Sequence, residues 1–107
     1  MRKADLVGRI AEETGVPKVD VLVVVEEMLK QIKDTMSGGD DVYIRGFGSF
    51  VIKKRKAKIG QNIKGKQSVN IPEHFVPSFK AAKIFAETVK ANVTELPKSK
   101  GKMEDEE

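Results

Sequence analysis

The chemistry this chain offers is electrostatic before it is anything else. Between Arg45 and Lys83 the sequence holds ten lysines and arginines, at 45, 53, 54, 55, 56, 58, 64, 66, 80 and 83, against one acid, Glu73. That stretch carries a formal +9 and the remainder −5, within a net charge of +4. Like charges concentrated over a third of a chain sum to a field that attracts a polyanion, nucleic acid first. A solvated basic loop is the plain alternative. Other chemistries lack their residues. There is no cysteine and a single histidine, His74, so neither a thiolate nor an ordinary zinc site is expected, and His74 reads as an exposed loop residue. The acidic doublets Glu12-Glu13, Glu26-Glu27 and Asp40-Asp41 read as solvated, and no nucleophile stands in a pattern with a base. The expectation is a binding protein rather than an enzyme, with no cofactor, no metal and no small-molecule substrate.

The elements that must position these charges follow from periodicity. At 107 residues the chain fits one domain with a modest core, to which a second copy can contribute. Leu6, Val7 and Ile10 cluster at helical spacing and predict a first helix over 4–14, ended near Gly15 and Val16-Pro17. A second helix is predicted from Lys18 to Ser37. Its apolar residues, Val21, Leu22, Val24, Val25, Met28, Leu29, Ile32 and Met36, span about 160° of an ideal wheel, more than the roughly 100° that one core requires. Two explanations of that width are open: a partner copy covering part of it, or a well-buried helix in a monomer. Gly38-Gly39-Asp40-Asp41 predicts a turn, Val42–Arg45 a short strand, Gly46-Phe47-Gly48 a tight reversal, and Ser49–Lys56 a second strand. Alternation puts Phe50 and Ile52 on one face of that strand and Ser49, Val51, Lys53 and Arg55 on the other. Tyr43 falls on the face opposite Val42 and Ile44, where either DNA or solvent can meet it. Residues 57–72 show no sustained core pattern, Glu73–Phe79 can return as a strand, and Ala81 to about Val93 predicts a last helix. The layout is α+β, with a three-stranded antiparallel sheet between two N-terminal helices and one C-terminal helix. Residues 94–107 hold Pro97, lysines and four terminal acids, and read as a disordered charged tail. No apolar stretch approaches a membrane span, and the start of the chain lacks a secretory pattern, so the expected location is the cytoplasm.

Gly46-Phe47-Gly48-Ser49-Phe50, followed by Lys53 and Arg55, resembles the G-F-G-x-F…R signature of HU and integration host factor, the bacterial histone-like DNA-binding proteins. Val76-Pro77-Ser78-Phe79-Lys80 and the order of the elements agree with it, and the likeness covers residues 1–93. The resemblance implies an intertwined dimer, either a homodimer or a heterodimer with a second chain. Helices would form its base and sheets a saddle, and two β-ribbon arms (57–73) would reach around double-stranded DNA in the minor groove. It implies an architectural, nucleoid-associated role, bending and compacting DNA with little sequence specificity. A sequence-selective bender of the integration-host-factor type, reading deformability, is one alternative. A basic module gripping an acidic protein is another.

Folded back, the excursion has about eight residues a side and at roughly 3.3 Å each can project some 25 Å. The residues expected to meet DNA are Lys3, Arg45, Lys53, Arg55, Lys56 and Lys58, the tip group Gln61, Asn62, Ile63, Lys64 and Lys66, and Lys80 and Lys83 on the saddle. The chain departs from the family at two places. At the tip the family pattern is Arg-Asn-Pro, and here Gln61-Asn62-Ile63 stands in its place, with Gly65 one position earlier than the usual glycine. Isoleucine is among the side chains that unstack a base step, so Ile63 is the expected wedge, without proline's fixed φ. Its plain alternative is packing on Ile59 or Val69. Where the family often has Lys-Pro-Gly-Lys, this chain reads Lys80-Ala81-Ala82-Lys83. Phe47, Phe50 and Phe79 read as core beneath the sheet, with base stacking as the sharper alternative. Deleting residues 94–107 is expected to leave DNA affinity unchanged. Tighter binding on deletion, titrated at low salt, would instead reveal a tail that competes for the basic face.

Overall fold

The structure, a computed structural model, describes residues 1–62 and 67–97. Ile63, Lys64 and Lys66, and the tail from 98 onward, lie outside the described residues.

The elements run α1 (Lys3–Thr14), α2 (Lys18–Ser37), β1 (Val42–Ile44), β2 (Gly48–Arg55), β3 (Lys58–Asn62), β4 (Gln67–Ile71), β5 (His74–Ala81) and α3 (Lys83–Asn92). The α+β layout is the expected one. At the start of α1 the Arg2 backbone N–H donates to Asp5 Oδ2 at 2.9 Å, satisfying a group the helix leaves unpaired and placing an acid in its positive first turn. Pro17 precedes α2, where its missing N–H costs nothing and its carbonyl accepts from Asp20 and Val21. α1 and α2 pack as a pair, and Val7 and Val21 are the two buried apolar residues among those described, at 2% and 5% exposure.

β1, β2 and β5 form an antiparallel sheet in that order, and β3 and β4 form a separate two-stranded ladder. β1 stops at Val42, opposite Phe50, so the Ile52 N–H has no strand partner on that edge. The Asp41 side chain takes that place, its Oδ1 accepting the Ile52 N–H at 3.0 Å. The predicted boundaries shift by one residue at several ends, as where β2 runs Gly48–Arg55 rather than Ser49–Lys56, and by two where β5 meets α3. The last helix begins at Lys83 rather than Ala81, because Ala81 closes the β2–β5 ladder opposite Gly48, and the Ala82 N–H donates to the Phe47 carbonyl at 2.9 Å. Alanine favours a helix, but two tertiary hydrogen-bonding arrangements decide otherwise.

The Ile44–Phe47 reversal needs Gly46, which sits at φ +80°, and the Phe47 N–H closes the turn on the Ile44 carbonyl at 3.0 Å. Gly48 is needed for space: a Cβ there would lie 2.6 Å from both the Lys80 carbonyl oxygen and the Phe79 ring. That close approach lets Phe47, Phe50, Phe79 and Phe85 meet as one cluster. Ring centroids lie 5.2 Å apart for Phe47–Phe79, 5.2 Å for Phe47–Phe85 and 5.0 Å for Phe50–Phe79. The three phenylalanines expected in the core are there, joined by Phe85 from α3, but in the single chain Phe47 and Phe79 remain 43% and 41% exposed.

Several large apolar side chains are exposed: Val24, Met28 and Leu29 of the wide α2 stripe, and Phe75 on β5. An open groove of about 590 Å³ between α2 and the sheet is lined by Ile32, Met36, Phe50, Ile52, Phe75 and Pro77. One chain does not close its own core. Gly48→Ala is expected to destabilise the fold by about 1–3 kcal/mol through overpacking, read as a lowered urea midpoint with an unchanged slope at fixed protein concentration.

Candidate nucleic-acid interface

The register of β2 against β5 sorts every side chain of the sheet. Phe50 opposes Phe79, Ile52 opposes Pro77 and Lys54 opposes Phe75, so these share the inner face with α2 and α3. The alternate positions make up the outer face. There Ser49 opposes Lys80, Val51 opposes Ser78, Lys53 opposes Val76 and Arg55 opposes His74. β1 adds Tyr43, opposite Ser49. The outer face is therefore a short platform carrying Lys53, Arg55 and Lys80, all exposed. Among the described residues no acid lies within ion-pair distance of these three cations.

Adjacent lysines are used differently. Lys54, on the inner face, pairs with Glu73 at 3.1 Å, while Lys53 points the other way. The single acid of the basic stretch is thus spent on the one cation the alternation turns inward. Such an exposed pair contributes little to stability, in the range of ~0–1 kcal/mol.

Beyond Arg55 and His74 the ladder stops, and it resumes at Lys58 opposite Ile71. Lys56 and Ala57 on one side and Pro72 and Glu73 on the other are unpaired, and Pro72 has no N–H to offer. His74 Nδ1 lies 2.9 Å from the Pro72 carbonyl, the geometry of a ring N–H donated to it. Past this joint, five residue pairs from Lys58–Ile71 to Asn62–Gln67 form the described part of the arm. Their register places Val69 with Lys58, Gly60 and Ile71 on one face, and Ile59 with Asn70 on the other. Ile59 and Val69, the two alternative packing partners for Ile63, therefore stand on opposite faces. Both are exposed. The described part of the arm is joined chiefly by its backbone ladder.

The expected contact residues distribute as follows. Lys53, Arg55 and Lys80 come together on the outer face. Arg45 sits in the turn after β1, Lys56 in the joint, Lys58 at the base of the arm and Lys83 at the first turn of α3, all exposed. Gln61 and Asn62 lie on β3, opposite Ser68 and Gln67. Lys3 belongs to the helical layer, where its ammonium pairs with Glu26 of α2 at 2.8 Å. Two further residues share the outer face: Tyr43, open to DNA or solvent in the sequence, and His74, which is exposed but begins β5 rather than lying in a loop, because the ladder pairs it with Arg55. The alternation that selected Lys53 and Arg55 points to both, since it is read through Ser49 and Arg55 to their cross-strand partners.

Comparison with known proteins places this geometry. The family model described as bacterial DNA-binding protein matches residues 1–90. The chain is 38% identical over 88 residues to the DNA-binding protein HU of Thermus thermophilus, covering 82% of this chain and 91% of that protein. It is 38% identical over 90 residues to the integration host factor subunit beta of Pseudoalteromonas atlantica, covering 83% and 94%. Among solved structures, the Anabaena HU–DNA cocrystal structure superposes with a TM-score of 0.78 at 40% identity, covering 83% of this chain and 97% of that one. With α1, α2, the sheet, the arm and most of α3 inside the matched span, the chain belongs to the bacterial DNA-binding protein family of HU and integration host factor.

Proposed function

We propose that this protein is an architectural DNA-binding protein. As a dimer it holds duplex DNA on the outer face of the sheet, follows the minor groove with its arms, and bends and compacts the duplex with little sequence preference. The observation that carries this reading is the sorting of charge by the β2–β5 register: Lys53, Arg55 and Lys80 share one solvent face that leads directly into the arm. The Anabaena HU–DNA cocrystal structure, so similar in fold, supports DNA as the ligand. The uncovered apolar surface of α2 and the groove beside Phe75 support a second copy as the missing cover. The reading assigns binding and bending, not catalysis, and nucleoid association as its location. Among the described residues no helix is long and apolar enough to cross a membrane.

Each face-exposed cation would displace counterions from phosphate, so affinity should fall steeply with salt. Lys53→Gln is expected to reduce the slope of log affinity against log salt by about 0.9 per protomer in contact. Lys54→Gln, one residue away but turned inward to Glu73, should change it much less. Equal effects of the two would remove the platform from the interface.

For the wedge, Ile63→Ala is expected to lose the preference for nicked or four-way DNA over linear duplex while retaining electrostatic binding. Preference for distorted DNA unchanged in that variant would assign the bend to other residues. Dimerisation predicts a melting temperature that rises with protein concentration, and a sedimentation mass of two chains.

A further inference from the structure

The edge of the basic platform carries a side-chain pair that phosphate neutralisation does not use. Tyr43 is 72% exposed on the outer face of β1, level with Ser49 and, beyond it, Lys80. It borders an open concavity of about 380 Å³ whose walls include Arg45, Ser49, Lys80 and Lys83. Asp41 precedes it by two residues on the same side of the chain. The Asp41 carboxylate is fixed from two directions: Oδ1 accepts the Ile52 backbone N–H at 3.0 Å, and Oδ2 accepts the Tyr43 hydroxyl at 3.2 Å. The charge of Asp41, and then its hydrogen bond, raises the Tyr43 pKa above the ordinary phenol value, in keeping with a hydroxyl proton shared with that carboxylate.

The consequence is a directional one. A phenol has one proton to give, and here it is given to Asp41, leaving only the oxygen lone pairs facing outward. Tyr43 therefore presents an acceptor and no donor. In the minor groove an A·T pair presents only the acceptors N3 and O2, whereas a G·C pair adds the guanine 2-amino group, the one donor on that edge.

We propose that Tyr43, oriented by Asp41, is a base-reading residue that selects a guanine 2-amino group where the minor groove passes β1. The guanine N–H donates to the Tyr43 oxygen, while an A·T pair at that point sets acceptor against acceptor. Arg45, Lys80 and Lys83, in the same concavity, hold the flanking phosphates and fix the groove over the ring. Asp41 weakens binding to every sequence by its charge, and in exchange sets the direction of one hydrogen bond. The inference rests on the minor-groove reading above and refines it from shape recognition to one chemical preference on the body of the protein, away from the arms.

The test compares nicked duplexes containing guanine with otherwise identical duplexes containing inosine, titrated at one salt concentration. Inosine pairs with cytosine and keeps the major-groove edge of guanine, but lacks the 2-amino group. Wild type is expected to bind the guanine duplex about fivefold more tightly, the value of one well-placed hydrogen bond. Tyr43→Phe keeps the ring and should bind both duplexes alike. Asp41→Asn keeps an oxygen for the Ile52 N–H but turns an NH₂ toward the phenol, freeing the hydroxyl proton to point outward, so the guanine preference should be lost. Thermal melts of both variants establish that the sheet remains folded. Inosine also alters groove width, so only the discrimination that Tyr43→Phe removes counts as base reading. Equal discrimination in wild type and Tyr43→Phe overturns the proposal. Failure of wild type to bind either duplex overturns the proposed function instead.

Discussion

Everything that distinguishes the two sides of this molecule depends on the pairing of β2 with β5. Side chains alternate with a period of two, so setting Phe50 opposite Phe79 also sets Ser49 opposite Lys80 and sends Lys53 and Arg55 outward. A shift of one residue in either strand would bring the phenylalanines into water and the cations against α2. The register is held from both ends. At one end Gly48 lets the Phe79 ring and the Lys80 carbonyl come within a distance no side chain tolerates. At the other, Pro72 cannot extend the ladder past Arg55 and His74. Packing and charge thus have one origin, and a residue that serves the core also determines where the electrostatic field points.

Much of this was readable from the residues alone. The charge asymmetry is a matter of counting, the two helices follow from spacing, and the alternation of Phe50, Val51, Ile52 and Lys53 assigns faces before any partner strand is known. What resisted reading was long-range. Ala81-Ala82 has the composition of a helix start, yet the carbonyl of Phe47, thirty-five positions earlier, holds Ala82 in an extended conformation. Helical spacing puts Phe85 on an apolar face but does not say that Phe47 will stack on it at 5.2 Å. Lys54 and Lys53 look equivalent until Glu73 is brought beside one of them. Asp41 looked like half of a solvated acidic doublet, and only the early end of β1 shows that its carboxylate completes a sheet. Local propensity and periodicity are properties of a segment, whereas these four features belong to pairs of segments.

The chain by itself is an unfinished core. Val7 and Val21 are buried between the helices, but the broad stripe of α2 and the groove between Ile32 and Phe75 have apolar walls and no lid. At about 25 cal/mol for each Å² of apolar surface removed from water, the cover supplied by a second copy would rival the stability of a small domain. A second copy would then supply stability that the single chain lacks, and the platform it already carries would gain a firmer base.

The joint at Lys56-Ala57 and Pro72-Glu73 divides the β-structure into two ladders that share no hydrogen bond. Mechanically this makes the arm a module mounted on the body rather than an extension of it. Residues added in matched pairs beyond the joint would lengthen the ribbon while leaving every pair from Gly48–Ala81 to Arg55–His74 as it stands. The reach of the molecule and the integrity of its base can therefore vary independently. A lineage could explore different grips on DNA without renegotiating how the protein folds.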